Sequence, residues 1–354
     1  MPNRRPSKST LTALATAVLP LAMMTDAQAL PYCIWDGPSG PMDYAVNVGH
    51  HWIARDAEIG SVIGPVAGSQ LTRSPIKIRC DNDGSGLLTA QIMPTVAVHP
   101  NPLPPVNGWN VDGKVLETTI PGVGLYIRLQ HPYSGATNAF RPRDDVALPY
   151  EGYNNWNISP LLLELQNLSA TYTLIKTGPI PAGPQSFSQR IAQGTVSDIG
   201  PYMNLTVNGQ VQQAQCTLKS DAVSADPVLL GRHDLGAFTG VGATTPMVDF
   251  HIMLNDCEDD PSGGTARAFI RLDGDIKDPD LGLFGLTSTS GASGIAIQLL
   301  RNDGSPMKLG TDELASNLGM KDIRIDFRAR YYQVDPVVKA GSADGKLNFT
   351  ISYR

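Results

Sequence analysis

The stretch Gly341-Ser-Ala-Asp-Gly-Lys-Leu-Asn-Phe-Thr-Ile-Ser-Tyr-Arg354 closes the sequence. Leu347, Phe349, Ile351 and Tyr353 alternate with Asn348, Thr350 and Ser352, so an extended strand here has one wholly apolar face and one polar face. This pattern predicts a half-buried β-strand at the end of the chain. A flat strand with an apolar face and a free backbone edge readily pairs with another chain, so a neighbour is expected to cover it.

Working outward, the same signal recurs upstream. Val248, Phe250, Ile252 and Leu254 alternate with polar or longer residues up to Cys257. Residues 266–272, 294–300 and 323–331 read as further strands, and Asn302-Asp303-Gly304 as a turn leading into 307–309. In the first half, residues 76–80, 86–92, 115–119, 124–129, 161–165 and 172–175 read as strands between turn clusters. With 35 Gly and 28 Pro and few helical windows, the fold class is all-β: two immunoglobulin-like sandwiches in series. Residues 207–213 are polar with no buried pattern and read as a short linker, which divides the chain into 30–207 and 208–354.

At the front, Arg4, Arg5 and Lys8 precede an apolar stretch at 11–24 and the small-x-small triplet Ala27-Gln28-Ala29, so residues 1–29 are expected to be a secretory signal peptide. The apolar stretch is too short and too interrupted for a membrane span, and no later one suits. Losing residues 1–29, which hold those three cations and Asp26, takes the net charge from −6 to −8. An acidic chain poor in aromatics argues against nucleic acid or an anionic membrane as partner. The four cysteines are Cys33, Cys80, Cys216 and Cys257, with no C-x-x-C spacing for a metal. In an exported chain they make two disulfides, and pairing Cys33 with Cys80 and Cys216 with Cys257 keeps each within one half. Each closes a loop of about forty residues, worth roughly 3–4 kcal/mol.

The second half resembles the pilin domains assembled by the chaperone-usher pathway. The matching residues are Gly341 and the penultimate Tyr353, Cys216, the Phe250/Ile252/Leu254/Cys257 run, Gly294-Ile295-Ala296-Ile297 and Arg328-Ala329-Arg330-Tyr331-Tyr332. In the first half, residues 121–125 and 174–180 resemble segments of the receptor-binding domains of two-domain fimbrial tip adhesins. The resemblance implies a pilin sandwich lacking its last strand. A strand from a periplasmic chaperone, and later from an adjacent pilus subunit, completes it by β-addition after delivery to an outer-membrane usher. The implied pairing residues are Gly341, Leu347, Phe349, Ile351, Tyr353 and, at the terminal carboxylate, Arg354. Filling such a groove with about four apolar side chains is worth roughly 6–12 kcal/mol gross. Where ordinary pilins carry a donor extension, this chain has residues 30–207, which implies a place at the tip of the fimbrium on the cell surface.

Receptor binding is expected on the long loops of the first half, at 100–105 and 134–156. Sugars need an aromatic face with amide and carboxylate groups around it. Asp144, Asp145, Tyr153, Asn154, Asn155 and Trp156 supply these in one region, with Trp109-Asn110 and His50-His51-Trp52 as other places. The mature N-terminus reads Leu30-Pro31-Tyr32-Cys33, without the leading aromatic of mannose-specific relatives, so the receptor is left as a glycan or a matrix protein. Catalysis is not expected, nor any cofactor: there is no G-x-S-x-G, H-E-x-x-H or glycine-rich phosphate loop, and paired acids such as Asp144-Asp145 lie on loops. The alternative reading is a minor or capping subunit without receptor binding.

Overall fold

The computed structural model describes residues 1, 3, 31–73, 75–136, 138–157, 163–319 and 321–354. The expected signal peptide lies outside these apart from Met1 and Asn3. The first strands are β1 (Tyr32–Asp36), β2 (Met42–Ala54), β3 (Val62–Thr72), β4 (Lys77–Asp81), β5 (Leu88–Pro94), β6 (Val115–Glu117) and β7 (Val123–Leu129). Then come β8 (Arg141–Pro142), β9 (Tyr150–Asn154), β10 (Leu163–Leu165), β11 (Asn167–Lys176), β12 (Gln185–Val196) and β13 (Gly200–Thr217). The remainder are β14 (Val248–Glu258), β15 (Arg267–Gly274), β16 (Ile276–Asp278), β17 (Leu283–Phe284), β18 (Ile295–Arg301), β19 (Glu313–Asn317), β20 (Ile323–Gln333) and β21 (Leu347–Tyr353).

The fold is all-β and immunoglobulin-like. Strands β3-β11-β7-β6 form one sheet of the first sandwich, and β2, β13, β12, β5, β9 and β8 its opposite sheet. Tyr44, Ile92, Leu125, Tyr172 and Leu205 meet between them in one core. The stretches 121–125 and 174–180 prove to be neighbours: Leu125 pairs with Leu174 and Gly124 with Ile175, and the Thr177 N–H donates to the Gly122 carbonyl at 2.8 Å. Gly122 has φ +76°, and a Cβ there would lie 2.3 Å from the Pro179 carbonyl oxygen, so glycine is required.

A second core joins Leu254, Ile270, Leu299, Ile325 and Tyr353. Its sheets run β13-β14-β20-β18 and β19-β15-β21. These orders match A-B-E-D and C-F of an immunoglobulin domain, and the place of strand G, beside β21, holds no strand among the described residues. Both disulfides have the expected pairing, Cys33–Cys80 and Cys216–Cys257.

Two expectations need correction. Residues 207–213 are not a linker but the middle of β13, with Val207 and Val211 fully buried. Residues 207–211 pair with β12 on one side, and the stretch runs parallel to β2 on the other, a partner remote in sequence that polarity alone cannot reveal. The expected loop at 134–156 contains β8 and β9, which extend the sheet beyond β5. Within it Arg141 faces Tyr153 across the hairpin.

Candidate functional site

The open edge of β21 follows from its register. Arg267 and Arg354 exchange backbone hydrogen bonds of 2.7 and 2.9 Å, and Phe269 stands opposite Ser352, Arg271 opposite Thr350 and Asp273 opposite Asn348. In an antiparallel pair such residues bond across the ladder, so the backbone groups of Leu347, Phe349, Ile351 and Tyr353 point away from β15. The same four residues turn their side chains to the second core. Leu347, Phe349 and Ile351 are only half-buried. Leu230, from the stretch 227–234 that joins no strand, packs against the same core, and its neighbour Leu229 is 77% exposed.

Tyr353 is not open in the way the sequence suggests. Its ring is buried and its hydroxyl donates to the Cys216 carbonyl at 3.2 Å. Its N–H donates to Asp56 Oδ2 at 2.9 Å, and its carbonyl accepts from the Asp56 N–H at 3.1 Å. The Arg55 guanidinium lies 4.7 Å over the Tyr353 ring and reaches the Ile351 carbonyl at 3.4 Å. Residues 55 and 56, which follow β2, thus cap the end of the edge. Three half-buried side chains remain to be covered, which lowers the gain on docking to roughly 2–5 kcal/mol.

Gly341 and Arg354 flank the edge rather than form it. A Cβ on Gly341 would lie 2.2 Å from the Gly291 carbonyl carbon, so this glycine allows the turn at 286–293 to close on the approach to β21. Arg354 pairs with Asp312 at 2.5 Å and lies over the Phe269 ring.

In the first sandwich the expected receptor residues separate into two groups. Asp144 and Asp145 join Lys114, at 3.5 and 3.0 Å, and Asp145 also meets Arg128 at 3.3 Å. The Arg128 guanidinium stacks 3.7 Å over Trp109, which is 49% exposed. This group sits on a small satellite core of Leu103, Val106, Val111, Val115 and Tyr126, which seats the proline-rich loop on β6 and β7. Burial pushes the Asp145 carboxyl up, but the Lys114 bond, the Val146 N–H and the Arg128 charge outweigh it and hold the group below the usual range. Burial likewise pulls Lys114 down, and the two aspartates leave it above its ordinary value.

Tyr153, Asn155 and Trp156 lie instead at the β8–β9 hairpin. Arg141 lies 4.1 Å over Trp156 and Arg143 lies 5.5 Å over Tyr153, while Asn155 is exposed. Asn154 is a scaffold residue: fully buried, it donates to the Ala139 carbonyl at 2.9 Å and accepts from the Trp156 N–H at 3.1 Å. Trp52 packs against the second core, which removes the His50-His51-Trp52 stretch from consideration.

Sequence reasoning missed Arg128 and Lys114 as members of a site. The available signal was Arg128 itself, the single charged residue in the otherwise apolar run of β7. Among the described residues no group of His, Cys, Asp and Glu is arranged to hold a metal ion, and no helix is long and apolar enough to cross a membrane.

Comparison with known proteins bears on the second half. The family model described as Fimbrial protein matches residues 203–354. The S-fimbrial protein subunit SfaG of Escherichia coli is 33% identical over 157 residues, covering 44% of this chain and 84% of that protein. The type 1 fimbrial subunit of Salmonella typhimurium is 29% identical over 148 residues, covering 41% of this chain and 79% of that one. Among solved structures, the CupB6 tip adhesin from Pseudomonas aeruginosa is 15% identical and covers 90% of this chain and 93% of its own, with a TM-score of 0.32, too low to carry an argument.

Proposed function

The chain belongs to the fimbrial protein family, whose members build surface fimbriae, and from that premise we propose that it is a two-part adhesin of a chaperone-usher fimbrium. The observation that carries this reading is the edge of β21, beside which no strand lies among the described residues, where Leu347 and Phe349 offer backbone groups and, with Ile351, half-buried side chains. An extended segment laid there gains hydrogen bonds and apolar burial at once, which is the chemistry of β-addition. A periplasmic chaperone supplies that segment first, and an adjacent fimbrial subunit replaces it on assembly at the outer-membrane usher.

The first sandwich has its own core and its own disulfide, and carries the Arg–aromatic stacks of Arg128 on Trp109 and Arg141 on Trp156. In this reading the receptor-binding part runs from residue 30 into β13 and the pilin part from β13 to 354, the first core reaching Val211 and the second taking over at Ala214. The receptor face holds Tyr153, Asn155 and Trp156 with Asn154 as support, while Asp144 and Asp145 belong to the separate Lys114–Arg128 group, and it takes a host or surface glycan or matrix protein from the fimbrial tip.

The test removes residues 347–354 and, separately, labels the first half with antibody on assembled fimbriae. The expected outcome is loss of periplasmic recovery for the truncation and labelling confined to tips for the full chain. Normal recovery of the truncation, or labelling along the shaft, would overturn the reading.

A further inference from the structure

Several cations of the chain are closely matched by carboxylates, as Arg271 is by Asp273 and Arg328 by Asp249. The two arginines of the β8–β9 hairpin are not closely matched in this way. Arg141 has no carboxylate within 4.0 Å among the described residues, and Arg143 reaches Glu151 only at 4.0 Å with half its side chain exposed.

The two arginines face the same side of the sheet. Arg141 stands opposite Tyr153, and the Arg143 N–H donates to the Glu151 carbonyl at 2.8 Å, so the strand geometry continues through Arg143. Residues two apart on a strand share a face and lie about 7 Å apart. Each guanidinium is laid against a ring, Arg141 on Trp156 and Arg143 on Tyr153. Stacking of this kind fixes the plane of the guanidinium and leaves its N–H edge free, so little further ordering is needed when that edge grips an oxyanion.

The face continues across β5, where Thr89 stands opposite Tyr153 and Gln91 opposite Glu151, and onto Ser197, whose hydroxyl lies 3.1 Å from that of Thr89. It is therefore rich in hydroxyl and amide groups, unlike the apolar anchor pocket on which a protein hot spot is built. Its polar groups instead match sugar hydroxyls, and its two arginines match an acid group carried on the sugar. The chain's net charge of −6 disfavours a polyphosphate backbone, whose binding rests on a broad cationic surface.

We propose that the β8–β9 face takes an acidic saccharide, with Arg141 and Arg143 holding its carboxylate or sulfate group. The proposal rests on the adhesin reading above and names the ligand class for that site. Glu151 lies on the same face, opposite Gln91 and 4.0 Å from Arg143, so the ligand carries spaced acid groups rather than a dense run of them.

The test uses the full chain in complex with its periplasmic chaperone on immobilised heparan sulfate, hyaluronan, sialylated glycans, neutral glycans and collagen. Binding is expected to an acidic saccharide, to weaken as salt rises, to fall tenfold or more with Arg141→Lys, which keeps the charge but not the fork, and to strengthen with Glu151→Gln. Hyaluronan binding would mark the carboxylate as the recognised group, and binding only to heparan sulfate would mark the sulfate. Circular dichroism and disulfide content of each variant show that its fold is retained, and Arg143→Gln gives a second loss should Arg141→Lys misfold. Binding to neutral glycans or collagen that ignores Arg141 and Arg143 would overturn the proposal and leave the adhesin reading standing. Acidic-saccharide binding indifferent to both arginines would also overturn it. Binding to nothing in the panel would count against both.

Discussion

At the scale of single residues, Gly341 and Asp145 have opposite kinds of necessity. Gly341 is needed for space: an added Cβ would meet the backbone of Gly291 and Ala292 at 2.2 and 2.4 Å, and backbone cannot swing aside as a side chain does. Gly341→Ala is expected to destabilise the chaperone-bound chain by about 1–3 kcal/mol, the usual range for overpacking, read as a lower denaturation midpoint. Asp145 is needed for charge, as the carboxylate shared by Lys114 and Arg128. Its folded pKa is depressed, so its contribution is complete above the unfolded carboxylate value and is lost as pH falls through the lower folded one. Below that window Lys114 and Arg128 lose their common partner, and the Trp109 fluorescence is expected to change. Asp145→Asn should abolish this acid transition and cost about 1–3 kcal/mol at neutral pH, since it takes from the partly buried Arg128 its carboxylate partner and leaves Lys114 with Asp144 alone.

At the scale of elements, β21 and the segment after β2 form one unit. Asp56 receives the Tyr353 N–H and donates its own to the Tyr353 carbonyl, while Lys176 Nζ donates to the Arg55 carbonyl at 2.6 Å and ties the segment back to β11. The second core even includes Ala54, with Trp52 and Ala57 packed against it. Asp56→Ala is expected to speed hydrogen exchange at the Tyr353 amide by about tenfold, a loss of roughly 1–1.5 kcal/mol, while the amides of β15 exchange as before. Unchanged protection at Tyr353, measured by mass spectrometry, would mean that Asp56 does not close the end of the edge. The strands that sequence made legible, such as β14 and β21, are those with clean alternation and one polar face. The start of β2 carries equally clean alternation, Met42, Tyr44, Val46 and Val48 against Asp43, Ala45 and Asn47, yet it is not among the strands read from the sequence. By contrast β13 was not legible, because Gln210, Gln212 and Gln213 follow no period and are ordered by pairing with β2, with β12 as a second neighbour at Gln210.

At the scale of the whole molecule, one long strand links the two sandwiches: β13 pairs with β12 and β2 over most of its length and with β14 at its end. The β8–β9 hairpin and strands β14, β20 and β18 of the second sandwich therefore lie in one hydrogen-bonded sheet, whereas the open edge belongs to the facing sheet β19-β15-β21. The sequence by itself determined the all-β class, the disulfide pairing and the resemblance to fimbrial proteins, since these rest on local alternation, on cysteine count and on short motifs at fixed spacing. The candidate site was legible only in its residue types. Which of them share a face, that Asn154 is scaffold, and where the β21 edge ends were decided by tertiary structure, because those depend on contacts such as Asp56 with Tyr353, 297 residues apart in the chain. Local pattern states which face of a strand is apolar; only the folded chain states what lies beside it.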